Sequence, residues 1–200
     1  MMLKIILVIS LLFSDSLNQN KIDLIINHYS KINFFESDFE LVTYQSKKEK
    51  FRNNGVIQVE KSNFKISIDD VVYAHYDNKF YTISSTNKEL TILNIENNER
   101  ITDESIVFKI NPLSFLKKFR ENNNIVFEET NNRYIIRYIS DQEKYNIFFE
   151  KNYDLANIEI MYKNSEISNK IFFSKIRNVN TEINIKIDLN DYKDYSVNEL

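Results

Sequence analysis

Most of the chain consists of short segments in which apolar and polar residues alternate, and this pattern restricts the fold to a β-sheet protein. The clearest segment is 64–69, where Phe64, Ile66 and Ile68 occupy every second position. Alternation with a period of two places apolar side chains on one face of a strand. Another strand begins at Gly55. Further short runs of this kind follow at 71–75, 79–84, 89–95, 124–130, 133–139, 144–150, 154–163, 170–177 and 182–189.

The breaks between these segments are rich in asparagine, as at Asn53-Asn54, Asp77-Asn78, Asn131-Asn132 and Asn164. Glycine is almost absent, since Gly55 is the only one in 200 residues. Asparagine tolerates a positive φ better than most other residues, so it can close hairpins in place of glycine. Regularly spaced strands joined by such turns predict an antiparallel meander that closes toward a barrel or a sandwich.

Two segments depart from the period-two alternation, and their patterns predict helices. In Asn20–Ile32, apolar residues recur at spacings of three and four, and Asn20 can serve as the N-cap. In Asn111–Arg120, a cap residue is followed by Pro112 at the first helical position, and Leu113, Leu116 and Phe119 lie near one face. We expect one domain, because no repeat or linker interrupts the chain.

Several strands are apolar on both faces, for example at 134–139, 147–149 and 171–173. A sheet with one face in water would not show this pattern, so a second layer must cover it. The two helices are the only candidates for that layer in the sequence. Either they fill the interior completely, as in a packed sandwich, or they form a lid over an apolar pocket.

Composition excludes several classes of active site. The chain has no cysteine, so thiolate zinc sites and cysteine nucleophiles are excluded, and a single glycine rules out glycine-rich phosphate loops. A net charge of −3 argues against a nucleic-acid surface. The two histidines, His28 and His75, lack metal-binding partners at helical or strand spacing. We therefore predict no metal, no cofactor and no enzymatic activity.

Residues 1–16 have the features of a secretory signal peptide. Lys4 supplies the positive charge, the apolar run from Ile5 to Phe13 follows, and Ser14 and Ser16 stand before the predicted cut. The nine-residue run is too short for a membrane span, which needs about 20 residues. We therefore expect a mature domain of residues 17–200 that is soluble and exported.

The order of these features matches a known pattern. It runs from a signal peptide and helix into Phe35-x-x-x-Phe39, a glycine-led strand and aromatic turn (Gly55 to Phe64), a hairpin at Asp77-Asn78-Lys79 leading into Phe80-Tyr81, an Asn-Pro-Leu-x-x-Leu helix, and Phe172-x-x-x-x-x-Asn178 running into Ile183–Asp188. This order resembles the LolA family of periplasmic outer-membrane lipoprotein carriers over essentially the whole mature chain. The weight lies in the serial order, since no single motif is diagnostic.

The resemblance implies a mainly β fold with two or three short helices, an incomplete antiparallel β-barrel (half-barrel) lidded by helices. In the family, an arginine after the glycine-led strand holds the lid shut, and Lys61 occupies the matching position here. Lysine lacks the planar fork of arginine, so this lid latch should be looser. Ser62 replaces the usual proline and Asn78 the usual hairpin glycine. The residues we expect to line the acyl-chain cavity are Ile25, Tyr29, Ile57, Phe64, Ile66, Leu113, Leu116, Ile136 and Phe149.

The function implied by the resemblance is that of a monomeric periplasmic carrier. It would take lipidated proteins by their acyl chains from an inner-membrane lipoprotein-releasing ABC transporter and deliver them to the outer membrane, to an acceptor lipoprotein where one exists. The alternative is an exported β-rich adhesion or assembly module with a packed core and no lipid ligand.

Overall fold

The structure is a computed structural model that describes residues 20–29, 31–32, 34–60, 63–95, 109, 125–178 and 185–200. Helix α1 spans residues 20–29, and a 3-10 helix spans Leu189–Tyr192. The strands are β1 (Phe34–Gln45), β2 (Lys48–Glu60), β3 (Asn63–Ile68), β4 (Val71–Tyr76), β5 (Lys79–Ser84), β6 (Glu89–Asn94), β7 (Ile125–Glu129), β8 (Arg133–Ile139), β9 (Glu143–Glu150), β10 (Leu155–Tyr162), β11 (Ile167–Asn178) and β12 (Ser196–Glu199). The predicted signal peptide (1–16), the second predicted helix (111–120) and Lys61 lie outside the described residues.

All the described strands belong to one sheet, in the order β12-β6-β5-β4-β3-β2-β1-β11-β10-β9-β8-β7. Two antiparallel meanders, β1–β6 and β7–β11, meet where β1 pairs with β11. The last strand, β12, runs parallel to β6 at one edge. No pairing among the described strands joins β7 to β12, so the sheet is open. The predicted incomplete antiparallel barrel is confirmed.

One face of the sheet, here called the inner face, packs against α1. Alternate residues of the strands point to it, such as Ile57 and Val59 of β2, Ile147 of β9 and Ile158 of β10, and all four are at most 2% exposed. Together with α1 they form the larger of two buried apolar clusters. The period-two pattern that predicted the strands therefore also identifies the side that faces the core.

A second buried cluster lies on the opposite, outer face of β4, β5 and β6. Phe80 and Leu93 belong to the inner cluster, whereas their neighbours Tyr81 and Ile92 belong to the outer one. The outer cluster also contains Ile187, and Tyr192 and Tyr195 pack against it. The cover of this face is thus residues 185–195, which we call the C-terminal strap.

This finding corrects two expectations from the sequence. From the strands at 134–139, 147–149 and 171–173, we expected the two helices to be the only segments that cover a second apolar face. The structure places another such face on β4–β6, and the C-terminal strap covers it. We also expected a strand at 182–189, but residues 185–188 have no strand pairing and a 3-10 helix begins at Leu189. Asp188 caps this helix by accepting a hydrogen bond from the Asn190 backbone amide at 2.9 Å.

The turns confirm part of the prediction about asparagine. Asp77, Asn78 and Asn164 have positive φ values of 52°, 58° and 61°. Asn53-Asn54 is not a break, however, because β2 runs straight through it from Lys48 to Glu60. Gly55 consequently lies in the middle of this long strand and does not begin it.

Gly55 is required by close packing and not by its backbone angles. It pairs with Phe39 on β1 and Ile68 on β3. A Cβ atom at this position would stand 2.5 Å from Cζ of Phe39 and 2.5 Å from the backbone oxygen of Ser67. The missing side chain lets the Phe39 ring lie over β2 and lets β3 approach closely.

We therefore expect Gly55→Ala to lower the free energy of unfolding by about 1–3 kcal/mol, which is the usual cost of overpacking. The clash with a backbone oxygen should outweigh the roughly 0.4–1 kcal/mol that alanine gains by restricting the unfolded chain. Urea unfolding of this variant beside Asn54→Ala, an exposed neighbour on the same strand, measures the difference. Equal midpoints for the two variants would contradict the packing argument.

Candidate functional site

The inner face of the sheet brings together every predicted cavity residue that the structure describes. Each of these side chains belongs to the inner cluster and is at most 2% exposed; they are Ile25, Tyr29, Ile57, Phe64, Ile66, Ile136 and Phe149. Leu113 and Leu116 lie outside the described residues. The described residues of the cluster come from α1 and from strands on both sides of the β1–β11 pair. The inner face is therefore one continuous apolar surface across the open sheet.

Helix α1 covers part of this surface through one side. Ile22, Ile25 and Tyr29 are spaced three and four residues apart, so they share a face, and all three are buried. Leu24, on another side of the helix, is 46% exposed. The contact is thus a stripe of three buried side chains, with the partly buried Ile26 packed beside them.

Tyr29 fixes the position of the helix by a hydrogen bond as well as by packing. Its ring centroid lies 6.4 Å from that of Phe35 and 6.1 Å from that of Phe149. Its hydroxyl accepts a hydrogen bond from the backbone amide of Leu155 at 2.8 Å, beside the point where the β9–β10 register shifts. Burial raises the pKa of Tyr29 well above its usual value, although the bond from Leu155 opposes this. The phenol therefore remains neutral.

The C-terminal end of α1 touches the turn between β9 and β10. The ring centroids of His28 and Tyr153 are 5.9 Å apart, and Tyr153 stacks on Tyr134 at 5.5 Å. Tyr153 has a φ of +72°, a strained conformation for an aromatic residue. The Lys151 ammonium stands 4.3 Å from the centre of the Tyr134 ring. Helix and turn are thus in direct contact at this end of the sheet.

At the opposite end of the inner face, a buried ion pair joins the β6–β7 connection to the sheet. Lys109, whose side chain is 6% exposed, pairs with Glu143 at the start of β9. The Tyr145 hydroxyl donates a hydrogen bond to the same carboxylate. The Lys109 ammonium also lies 5.2 Å from the centre of the Tyr162 ring. Burial and the nearby carboxylate raise the pKa of Tyr145, so its hydroxyl keeps the proton that it donates.

The polar contacts continue from Tyr162 toward the centre of the sheet. The Asn169 side-chain amide donates to the Tyr162 hydroxyl at 3.0 Å, and the Thr43 hydroxyl donates to the Asn169 carbonyl oxygen at 2.8 Å. Asn169 is buried, so these bonds satisfy polar atoms that water cannot reach. Sequence reasoning missed Lys109 and Glu143, because neither stands in a recognisable motif.

The outer face carries a groove of about 800 Å³ over Gly55. Its lining is mixed, and includes Asp38, Glu40 and Asp69 as well as the 39%-exposed ring of Phe172. The Glu40 carboxylate binds Arg52 at 2.6 Å. Charged and polar groups thus interrupt the apolar part of this groove, whereas the described residues of the inner face form a buried apolar cluster.

The described part of the chain carries neither a metal centre nor a membrane-spanning helix. No cluster of three or more His, Asp or Glu side chains able to hold a metal ion occurs among those residues. None of the helices described there has the length and apolar character needed to cross a membrane.

No protein-family model matches the chain, and no curated protein matches its sequence. Solved structures do match. An uncharacterized conserved protein from Thermus thermophilus has a TM-score of 0.55 at 6% identity, and the match covers 90% of this chain and 98% of that one. At these identities the likeness concerns the fold alone.

Two further matches have TM-scores below 0.5. A LolA superfamily protein from Nitrosomonas europaea has a TM-score of 0.42 at 8% identity, over 76% of this chain and 88% of that one. The Mycobacterium tuberculosis lipoprotein LppX has a TM-score of 0.45 at 9% identity, and the match covers 86% of this chain and 100% of that one.

Proposed function

We propose that this protein is an extracytoplasmic, non-enzymatic carrier that holds the acyl chains of lipidated proteins against its inner face. In this proposal a signal peptide (1–16) exports the chain, and the monomeric domain 17–200 shuttles its cargo from the inner to the outer membrane. Its partners would be an inner-membrane lipoprotein-releasing ABC transporter and, where one exists, an outer-membrane acceptor. Lys61 would act as the latch, and Leu113 and Leu116 would complete the cavity lining.

The observation that carries the proposal is the construction of the inner face. The sheet is open, its inner face is apolar across the described strands, and the described cover from α1 consists of three buried side chains and the partly buried Ile26. A fully packed sandwich would cover such a face with a second sheet. A short amphipathic helix is a cover that can move away without breaking any strand pairing.

The free energy gained when α1 buries its apolar side chains against the inner face is of the same order as the free energy gained when an acyl chain is buried there. Burying an apolar side chain contributes about 1.5–3 kcal/mol, so the three buried side chains of α1 contribute roughly 5–9 kcal/mol, to which the partly buried Ile26 adds. Burying an acyl chain of about 16 carbons contributes about 0.8 kcal/mol per methylene, or roughly 13 kcal/mol. An acyl chain could therefore displace α1 from the inner face, and the returning helix would recover much of that energy when the cargo leaves.

The first test is binding of an environment-sensitive naphthylamine dye by the purified mature domain. We expect saturable binding and displacement by a synthetic diacylated peptide, but no displacement by the same peptide without acyl chains. Absence of dye binding under conditions where the circular dichroism shows a folded β-protein would favour the alternative, an exported adhesion or assembly module with a packed core.

A sharper prediction concerns the movement of α1. Because the chain has no cysteine, His28→Cys with Tyr153→Cys creates two unique thiols where the helix meets the β9–β10 turn. We expect a short bis-maleimide bridge between them to reduce dye uptake at least tenfold, because α1 can no longer leave the inner face.

The same double variant with each thiol blocked by N-ethylmaleimide is the matched control, since it carries the same substitutions without the bridge. It should take up dye like the unmodified protein. Equal uptake by the bridged and blocked forms would show that α1 is not the movable cover.

A further inference from the structure

The hairpin that joins β1 to β2 extends beyond the rest of its half of the sheet. Pairing between β2 and β3 begins at Gly55 and Ile68, so residues 48–54 pair only with β1 among the described strands. Six residue steps along a strand span about 20 Å. The hairpin ends in a two-residue turn, Ser46 and Lys47, with φ values of 49° and 65°. We call residues 46–52 the hairpin tip.

The hairpin tip concentrates positive charge on an acidic protein. Residues 46–52 contain three lysines, one arginine and one glutamate, a net charge of +3, so the remainder of the −3 chain carries −6 by difference. The single acid, Glu49, is already bound by Arg52 at 2.9 and 2.7 Å. Lys47, Lys48 and Lys50 are exposed and form no ion pair with any described residue.

An aromatic side chain stands among these lysines. Phe51 is 68% exposed, the most exposed aromatic residue of the described chain. The neighbouring turn between β10 and β11 adds Ile167, which is 42% exposed. It also carries Lys163 and Glu166, which together add no net charge, and the Glu166 carboxylate accepts a hydrogen bond from the Ser46 hydroxyl. The two turns are joined, because the Ser46 backbone amide donates to the Glu166 backbone oxygen at 3.0 Å. The apolar and basic groups are therefore presented together.

We propose that the hairpin tip docks on a membrane surface rich in anionic lipid. Lysines near such a surface are attracted by its negative potential, while an aromatic ring enters the headgroup region. A protein partner would instead need a pocketed apolar centre around the ring, and an isolated Phe51 between lysines does not provide one. Asp69, in the β3–β4 turn, lies at the base of the hairpin, where its carboxylate accepts a hydrogen bond from the Asn53 side-chain amide at 2.6 Å. Lys50 and Lys48 stand three and five residue steps further along β2, about 10 and 17 Å away, which is beyond the screening length of about 8 Å at physiological salt.

The test measures binding to lipid vesicles by co-sedimentation. With vesicles of phosphatidylcholine containing about 30% phosphatidylglycerol, we expect binding that is lost on pure phosphatidylcholine and weakened by salt. Lys47→Gln, Lys48→Gln and Lys50→Gln together should lower the partition coefficient about 100-fold, since each basic residue contributes about fivefold. Phe51→Ser should lower it about tenfold.

The matched control replaces three exposed lysines outside the hairpin tip, Lys31, Lys79 and Lys193, with glutamine. This variant has the same net charge and should bind within about threefold of the unmodified protein. Equal loss in both triple variants, equal binding to both kinds of vesicle, or no vesicle binding at all would overturn the proposal. Dye binding by the inner face should be unchanged in every variant, so failure of this proposal is distinguishable from failure of the carrier function.

Discussion

Lys109→Met is expected to lower the free energy of unfolding by about 3–5 kcal/mol, because it leaves the carboxylate of Glu143 inside the protein without its cation. The side chains of the pair are only 6% and 15% exposed. Methionine fills a similar volume, so the loss reports the charge and not a cavity. Equilibrium unfolding in urea, followed by far-UV circular dichroism, measures it.

Adding Glu143→Gln to Lys109→Met should recover more than half of this loss. The neutral amide needs no cation, and its oxygen can still accept the hydrogen bond from Tyr145. Recovery is the expected behaviour of a buried pair, in which an orphaned charge costs more than the intact pair contributes. If the double variant is no more stable than Lys109→Met, the pair does not act as a unit.

The pair between Lys88 and Asp194 provides the matched control. Its 2.7 Å separation is normal, but both side chains are 62% exposed. Lys88→Met should therefore change stability by less than about 1 kcal/mol. A loss as large as that for Lys109→Met would show that burial does not explain the effect.

The location of Lys109 connects this prediction to the inner face. Lys109 lies in the connection between β6 and β7, and Glu143 begins β9, so the pair fastens that connection to one end of the sheet. Tyr29 and Leu155 fasten α1 nearer the other end of β9 and β10. The two attachments differ in kind: the first is a buried ion pair, whereas the second is a neutral hydrogen bond, which contributes about 1 kcal/mol, together with the packing of the apolar side of α1.

The sheet could be predicted closely because its signal is local. Alternation in Phe64, Ile66 and Ile68 reports which side of β3 is buried, whatever pairs with it. The same reasoning brought Ile57, Ile136 and Phe149 to one face, since residues that point inward from any strand of a curved sheet meet there.

Contacts between residues far apart in the chain produce no comparable pattern in the sequence. The wrong break at Asn53-Asn54 arose because asparagine also suits the exposed part of a long strand, where its tolerance of positive φ is not used. Ile185 and Ile187 alternate like a strand, but Ile187 packs on β4–β6, about 100 residues away in the chain, without strand pairing, so periodicity suggested the wrong element. Lys109 is one lysine among many until the fold places Glu143 beside it.

Ile187→Asp should release the C-terminal strap and lower the free energy of unfolding by about 4 kcal/mol. Ile187 is 7% exposed and belongs to the outer cluster with Ala74, Ile83 and Leu90. Loss of a buried isoleucine alone costs about 2–5 kcal/mol, and a carboxylate placed against these side chains would need its own desolvation. If the strap detaches, the carboxylate stays in water and its desolvation cost is avoided. Detachment therefore limits the loss in the free energy of unfolding.

Detachment has consequences that global stability does not report. Tyr192 and Tyr195, whose rings meet edge to face at 5.1 Å, should lose their near-UV dichroism, and limited proteolysis should cut within 185–200 before any other described segment. Lys186→Asp is the matched control, because it places the same carboxylate one residue away on an exposed position. That variant should keep both the dichroism and the resistance to protease. Equal cleavage of the two variants would mean that Ile187 does not hold the strap, and that the outer face of β4–β6 is closed by other contacts.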